Sequence, residues 1–442
     1  MRVAVIGAGI IGVTTAYELT LDGHEVTVFE RHGSVAAEAS FANAGIVAPG
    51  YVAPWAASGY GFGRHAPGRV RPGFDAATLG WLWQRWRASR QRTSRVNRVR
   101  MHRLADFSRQ RQHRITSDLK LDYERSDGCL VLLRTPQDLA MVQPALAALA
   151  ELNTRFETLD ADRCRSVERG LNPATPLHAG ILMPDAEVGN CRQFAHLLRT
   201  EAQRLGARFC FETEVQQVIP GGVPKLVHIH APRDEPALHT VLAESSPDDA
   251  QDTQSMVHLP ITEEFDGVVV CAALASAALL RPHGLKLPLQ AVRGYTITLP
   301  LRRHEGHPHH GPRSALIDER YQVAISRFGN RMRVAGGTEI GGPAARHDPR
   351  TLATLYKVLN DWFPGSAQLS QAHTWKGARP MLPDGPPVLG RSGIDGVWLN
   401  LGHGSSGWAL ACGSARLLAD SFAGRPPSID VEGLGIGRLT GR

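Results

Sequence analysis

The chain has 442 residues, of which 43% are hydrophobic and 21% are charged, and its formal net charge at pH 7 is +7. This is an ordinary globular composition, and the length is sufficient for two domains with a large core. The longest apolar run, residues 268–280, is too short to cross a bilayer, and residues 1–12 predict a strand and a turn, so we expect neither a membrane span nor a signal peptide. Six scattered cysteines without metal-ligand spacing indicate reduced thiols in a cytoplasmic protein.

The first thirty residues predict a βαβ unit that binds a dinucleotide. An apolar strand at residues 3–6 leads into a GxGxxG pattern, whose glycines are Gly7, Gly9 and Gly12. These glycines permit a tight turn, a close backbone approach to a pyrophosphate and close packing of the helix on the strand. A second strand ends at Glu30, where a carboxylate would accept from ribose hydroxyls. The carboxylate favours FAD or NAD over NADP, because it would repel a 2′-phosphate. The alternative interpretation of the whole βαβ unit is a tight turn that binds no ligand.

Residues 85–114 form a strongly basic stretch. They carry eleven arginines against one acid, Asp106, so this stretch contributes +10 and the rest of the chain sums to −3. Apolar residues from Val96 to Phe107 recur at helical spacing, which predicts a helix with an arginine-rich outer face. Trp81, Trp83 and Trp86 lie at the N-terminal end of this stretch, a pattern suited to docking on anionic lipid. A solvated helix face explains the same pattern equally well, and no motif for nucleic-acid binding accompanies it.

The remaining elements alternate between the two predicted domains. Residues 190–205 predict a helix that ends at Gly206, followed by a strand that returns to the nucleotide sheet. Other strands are predicted at residues 123–133, 266–271, 294–299, 321–325 and 331–335. Residues 232–260 are polar and predict a surface insertion. The histidine-rich segment 304–310 is interpreted as an exposed turn, so we expect no metal.

Two segments near the C-terminus resemble the closing signature of the D-amino acid oxidase-like flavoprotein superfamily. They run from Trp375 to Gly390 and from Asn400 to Gly413. The match is closest to its FAD-dependent D-amino acid dehydrogenases of the small-subunit type. Agreement extends over nearly the whole chain, with residues 232–260 as the main exception.

The resemblance implies an α/β fold, in which a Rossmann-like FAD-binding domain is interleaved with an antiparallel-sheet α+β substrate domain. We assign residues 1–57, 190–290 and 375–442 to the FAD-binding domain, and residues 58–189 and 291–374 to the substrate domain. Two positions depart from the family pattern. Ala273 stands where a glycine is usual, and Asn190 stands where an aspartate is common.

The resemblance also implies FAD as the cofactor. We expect it to be non-covalent, because no cysteine occurs between Arg379 and Gly390. A helix beginning near Ser406 would direct its N-terminus at the flavin. The predicted cofactor contacts are Gly7, Gly9, Ile10, Ile11, Gly12, Glu30, Arg31, Ser40, Asn43, Ala44, Gly45, Val215, Cys271, Ala272, Ala273, Gly402, His403, Gly404, Ser405, Ser406 and Gly407.

The implied reaction is oxidative deamination of a D-amino acid by hydride transfer from Cα to flavin N5, giving a 2-oxo acid and ammonia. Arg379 lies in the Gly-x-Arg-Pro motif and is predicted to hold the substrate carboxylate. Tyr295 and Tyr321 are further candidates for substrate contact. Arg379 could instead form an ion pair with Asp384. Both tyrosines could instead be core residues whose hydroxyls bond within the protein. No side-chain base is required, so no catalytic residue is assigned.

Several alternatives remain open at this stage. Within the enzymes they are a D-proline or D-hydroxyproline dehydrogenase and an amino acid oxidase. Outside this class, the chain could serve as a flavin-binding subunit that assembles with a second subunit. The C-terminal motif argues against an NAD-dependent dehydrogenase. The family implies a quinone or another electron-transfer acceptor, and the basic face would place the protein on the inner face of an anionic membrane.

Overall fold

The computed structural model describes residues 1–52, 68–70, 75–230, 259–302, 311–341 and 346–440. Most of the predicted insertion at 232–260 and the whole histidine-rich segment 304–310 lie outside these residues. Helices in the described residues are α1 Ile10–Leu21, α2 Ala76–Ala88, α3 Gln91–Leu119, α4 Pro136–Glu151, α5 Ala161–Val167, α6 Cys191–Arg204, α7 Ser276–Leu280, α8 Pro349–Trp362, α9 Gly407–Phe422 and α10 Gly437–Thr440.

The strands alternate with these helices along the chain. They are β1 Arg2–Ile6, β2 Glu25–Phe29, β3 Ile46–Val47, β4 Gly68–Val70, β5 Ser126–Leu133, β6 Glu157–Asp160, β7 Ala179–Val188, β8 Arg208–Cys210, β9 Thr213–Ile219, β10 Lys225–His230, β11 Ile261–Glu264, β12 Gly267–Val270, β13 Gln290–Pro300, β14 Ala315–Asp318, β15 Val323–Phe328, β16 Arg331–Ile340, β17 His373–Met381, β18 Val388–Arg391 and β19 Val397–Leu401.

The smaller of the two main sheets carries the predicted βαβ unit. Its six strands follow the order β18-β19-β12-β1-β2-β8, and all neighbours are parallel except β18 and β19. The central strands are apolar because both of their faces are buried, one against α1, α6 and α9 and the other against β9, β10 and α7. Strands β9, β10 and β11 form a separate antiparallel sheet beside it. The Rossmann-like part of the predicted fold is therefore confirmed.

The larger sheet forms the predicted substrate domain. Its main path is β17-β13-β16-β15-β14-β5-β7-β3, with β4 and β6 paired at its sides, and most of its pairs are antiparallel. Helix α8 packs on one face of this sheet around Leu355 and Trp362. Strand β17 belongs to this sheet, so the domain boundary predicted at residue 375 falls inside a strand.

The position of Asn190 explains one departure from the family pattern. Its side-chain oxygen accepts from the backbone N–H of Gln193 and so caps helix α6. Its side-chain amide also donates to Glu124 over 2.7 Å, which an aspartate could not do. The asparagine therefore has a structural role here.

The helix predicted from the spacing of Val96 to Phe107 is present as part of α3, but its arginine-rich face is largely paired. The basic stretch forms two helices, α2 and α3, and several of its arginines pair with acids from distant parts of the chain. Arg111 binds the buried Glu18 through two hydrogen bonds of 2.6 and 2.9 Å. Arg95 pairs with Glu151, and Arg103 pairs with Asp430. None of the helices described is long and apolar enough to cross a bilayer.

Candidate active site

A cavity of about 390 Å³ lies between the two main sheets. One wall is formed by the turns that follow β1, β2, β12 and β19, which leave the sheet at its carboxyl edge, where open α/β sheets bind ligands. The opposite wall is a transverse row on the larger sheet, where Thr296, Ala335, Ala324 and Ile317 lie side by side on four strands. The short side chains in this row leave room for a flat ligand.

The glycine-rich turn has the tight geometry that the sequence predicts. Gly7 has a φ of +100°, in the left-handed region that favours glycine. A methyl group on Gly12 would lie 1.8 Å from the carbonyl oxygen of Gly7, so the helix packs directly on the turn. A methyl group on Gly9 would meet Ser40 Oγ as its nearest atom, at 3.6 Å. The backbone at Gly9 is therefore accessible from the cavity, as the approach of a pyrophosphate requires.

All residues predicted to contact the cofactor line this cavity, except Gly12. The carboxylate of Glu30 is held at the end of β2 because it accepts from the backbone N–H groups of Ala8 and His32, over 2.7 and 2.9 Å. Arg31 pairs with Glu38, whose pKa is lowered to about 2 by hydrogen bonding to His32 and by Arg31. The glycine cradle and the buried acid together fit an FAD.

Ala273 occupies a strained backbone position beside the cradle. Its φ is +48°, in the left-handed region, where a side chain costs about 1 kcal/mol relative to glycine. Gly7 packs closely on the start of the same turn: a methyl group on Gly7 would lie 2.8 Å from the carbonyl oxygen of Cys271. A glycine, which is usual at this position in the family, adopts such a backbone conformation without strain.

The C-terminal glycine motif passes from β19 into helix α9. Gly402 and Gly404 have φ values of +79° and +55°, and helix α9 begins at Gly407 beside the cavity. His403 is buried, its Nε2 lies 3.0 Å from Ser414 Oγ, and burial lowers its pKa to about 3. The imidazole is therefore neutral, and its low pKa makes it a weak proton acceptor, which argues against a role as general base.

Arg379 directs its guanidinium group into the cavity. The group lies over Gly294 on the neighbouring strand, where a methyl group would come within 1.9 Å of Nη2. It donates to the carbonyl oxygen of Gly337 over 3.3 Å, and no carboxylate of the described residues pairs with it. Burial lowers its pKa to about 10, so it remains charged at neutral pH. Asp384 instead pairs with Arg438 at 2.7 Å, which removes the predicted alternative.

The two predicted tyrosines differ in position, since Tyr295 lines the cavity and Tyr321 is not among the residues that line it. Tyr295 packs among the residues between the sheet and α8, where its hydroxyl donates to Glu339 and accepts from the N–H of Asp348. Burial and the Glu339 hydrogen bond raise its pKa. Tyr321 lies in the turn before β15 and stacks with the cations of Arg134 and Lys357. Both rings pack on the face of the sheet covered by α8, and their contacts with the substrate stay predictions.

Several aromatic residues at the cavity were not predicted, among them Tyr51 and Trp375. The hydroxyl of Tyr51 donates to the carboxylate of Glu319. The indole of Trp375 lies over Gly377, where a methyl group would approach Cη2 to 1.7 Å. Alternation along β17 places Trp375, Gly377 and Arg379 on one face, and this pattern could have revealed the tryptophan. No local pattern indicated Tyr51.

The chain matches the family model described as "FAD dependent oxidoreductase" over residues 2–421. It is 39% identical to a D-amino acid dehydrogenase of Rhizorhabdus wittichii, over 99% of this chain and 100% of the relative. It is 40% identical to one of Cereibacter sphaeroides, over 99% and 95% of the two chains. A glycine oxidase from Geobacillus kaustophilus, 18% identical, has a similar fold, with a TM-score of 0.70 over 99% of both chains.

Proposed function

The chain belongs to the FAD dependent oxidoreductase family, and on this premise we propose that it is a D-amino acid dehydrogenase. The observation that carries this proposal is the guanidinium of Arg379, which faces the cavity without a carboxylate partner among the described residues. An arginine of this kind is suited to an anionic ligand, because its planar donors can hold a carboxylate by two hydrogen bonds. The cofactor is FAD, so the NAD-dependent alternative is excluded.

The residues of the cavity orient the substrate for oxidation at Cα. When bound in the cavity, FAD would supply the acceptor for the hydride from Cα. Arg379 holds the carboxylate, which restricts the position of Cα against the wall formed by Thr296, Ala335 and Ala324. The N-terminus of α9 contributes a positive dipole end at this side of the cavity. No side chain needs to act as a base if the amine arrives neutral, and the imino acid product hydrolyses to a 2-oxo acid and ammonia.

Replacement of the anchor tests this role. In Arg379→Met we expect kcat/KM for D-alanine to fall about 30- to 1000-fold, since a charge-assisted bidentate contact contributes about 2–4 kcal/mol. FAD content should be unchanged. Arg95→Met, which alters an exposed arginine paired with Glu151, is the matched control and should retain full activity. Near-normal kcat/KM in Arg379→Met would make this arginine structural.

The choice among amino acids and acceptors is a separate proposal. We favour linear D-amino acids over D-proline or D-hydroxyproline, and a quinone over oxygen, because the chain shares its whole length with relatives named dehydrogenases. Comparison of D-alanine with D-proline as reductants tests the first point. Rapid peroxide production in air would instead favour an oxidase.

An apolar stripe on α2 supports membrane docking better than the arginines of α3. Leu79, Trp83 and Trp86 lie at i, i+4 and i+7 and are 53, 56 and 60% exposed. The guanidinium of Arg87 lies over Trp83, and that of Arg90 lies over Trp86. Exposed tryptophans with adjoining cations are suited to an anionic lipid surface. Such docking would bring the enzyme to a quinone without a membrane span.

Vesicle sedimentation tests the docking. We expect the protein to bind vesicles that contain phosphatidylglycerol and to be released as the salt concentration rises. Trp83→Gln combined with Trp86→Gln should abolish binding, whereas Met141→Gln, which alters an exposed apolar residue on α4, should not. Equal binding of the tryptophan variant and the parent would exclude this surface.

A further inference from the structure

Arg333 is a buried arginine that the proposed mechanism does not use. It is 8% exposed and lies on β16, two residues before Ala335 of the cavity wall. Because side chains alternate along a strand, Arg333 shares the cavity face of the sheet, about 7 Å along the strand from that wall. It lies in the next transverse row, between Thr298 and Ser326 on the two neighbouring strands.

The charge of Arg333 is not neutralised by an acid. Its Nε donates to Thr298 Oγ1 over 3.2 Å and its Nη1 donates to the carbonyl oxygen of Asn43 over 2.8 Å, but no carboxylate of the described residues pairs with it. Glu124 pairs instead with the neighbouring Arg331. Burial and the charge of Arg331 lower the pKa of Arg333 to about 10, so it is cationic at neutral pH. A buried cation without a counter-ion is costly, which indicates a functional reason.

The contact of Arg333 with Asn43 orients a peptide bond at the cavity. The described chain contains no cis peptide bond, so the N–H of Ala44 points opposite to the carbonyl of Asn43. Since that carbonyl faces Arg333 on the sheet, the N–H of Ala44 faces away from the sheet, and it has no acceptor among the described residues. Asn43, Ala44 and Gly45 all line the cavity.

The other groups of this loop are held by separate contacts. Ser326 donates to the carbonyl oxygen of Ala44 over 2.7 Å, and Trp408 donates to that of Gly45 over 3.1 Å. The N–H of Gly45 donates to the side-chain oxygen of Asn43 over 2.9 Å. The loop is therefore rigid, and a change in the charge of Arg333 can be separated from a loss of loop anchoring.

We propose that Arg333 is a positioning residue that presents the N–H of Ala44 to the flavin and whose charge favours the reduced, anionic cofactor. The proposal deepens the proposed function and rests on it for the nature of the reaction. A preorganised donor polarised by a buried cation stabilises negative charge in a site shielded from water. The expected consequence is a change in the equilibrium between oxidised and reduced flavin.

Two variants separate charge from anchoring. Arg333→Gln removes the charge but retains a donor for Asn43, whereas Ser326→Ala removes a donor to the same loop without changing any charge. The FAD-loaded proteins are reduced chemically against a reference dye, without amino acid, so the result does not depend on the substrate. At a fixed dye potential, Arg333→Gln should raise the ratio of oxidised to reduced flavin at least tenfold. Ser326→Ala should change it less than twofold, and Arg333→Lys less than threefold.

Several outcomes would overturn the proposal. A ratio for Arg333→Gln within twofold of the parent would reduce Arg333 to a structural anchor. An equal shift in Ser326→Ala would assign the effect to loop order. If Arg333→Gln fails to retain FAD, Arg333→Lys is measured instead. A tenfold change in its ratio of oxidised to reduced flavin would contradict the role of charge, because lysine keeps the positive charge. Failure of D-amino acids to reduce the parent enzyme would instead concern the proposed function alone.

Discussion

The guanidinium of Arg379 occupies a space that is free only because Gly294 has no side chain, and we call this space the slot. Filling the slot tests Arg379 as the substrate anchor. In Gly294→Ala, the new methyl group would lie 1.9 Å from Nη2 and 2.6 Å from Cζ of Arg379. Ordinary contact requires about 3.5 Å, so the guanidinium must move by more than about 1 Å. The clash involves the end of a flexible side chain and the backbone at Gly294 needs no positive φ, so the protein should fold and retain FAD.

A displaced anchor should weaken binding of the transition state while leaving the cofactor site intact. We expect a loss of about 2–3 kcal/mol, which corresponds to a fall in kcat/KM of about 30- to 150-fold. Anaerobic stopped-flow measurement of flavin bleaching by D-alanine provides the assay. Gly435→Ala, where a methyl group meets no atom within 4 Å, is the matched control.

A double variant distinguishes this mechanism from general damage. Because both changes act on one guanidinium, Gly294→Ala combined with Arg379→Met should be no slower than Arg379→Met alone. Additive losses would mean that the alanine acts elsewhere, for example on the pairing of β13 with β17. A variant with FAD bound and kcat/KM within threefold of the parent would refute the assignment of the slot.

Two further predictions concern the cofactor cradle and the buried histidine. Gly9→Val should yield a folded but mostly colourless protein, because a branched side chain would occupy the pyrophosphate path. The ratio of flavin to protein absorbance measures the FAD content, and a variant with full FAD content would contradict the assignment of the cradle. His403 is neutral in the folded protein, with a pKa lowered to about 3, so the unfolded chain binds the extra proton as pH falls below about 6.5 and stability is lost in that window. His403→Gln should therefore reduce the loss of unfolding free energy between pH 7 and pH 5 by about 2 kcal/mol, measured by urea titration; an unchanged loss would mean that His403 is protonated in the folded state.

The cofactor cradle could be predicted because its information is local. Gly7, Gly9, Gly12 and Glu30 lie within thirty residues, and each is constrained by a turn, a close approach or a strand end. The position of Arg379 at the cavity could be predicted from its motif, although the space for its guanidinium depends on Gly294 from another strand. The family resemblance supplied the connection between these segments.

Other features depend on contacts between distant segments. Tyr295 and Tyr321 could not be placed, because the choice of sheet face depends on where α8 packs. The arginines of α3 suggested a free basic surface, since their partners Glu18, Glu151 and Asp430 lie far away in the sequence. Local periodicity cannot supply these contacts, because it reports the spacing of residues but not their partners.

The central claim is that this chain oxidises D-amino acids at its flavin with Arg379 as the carboxylate anchor. The most direct measurement is the absorbance of the FAD-loaded protein on anaerobic mixing with D-alanine and, separately, with L-alanine. We predict loss of the oxidised flavin bands with the D-enantiomer, little change with the L-enantiomer and strongly slowed bleaching in Arg379→Met. Bleaching by neither enantiomer nor by any other D-amino acid, in a protein that dithionite reduces normally, would contradict the account.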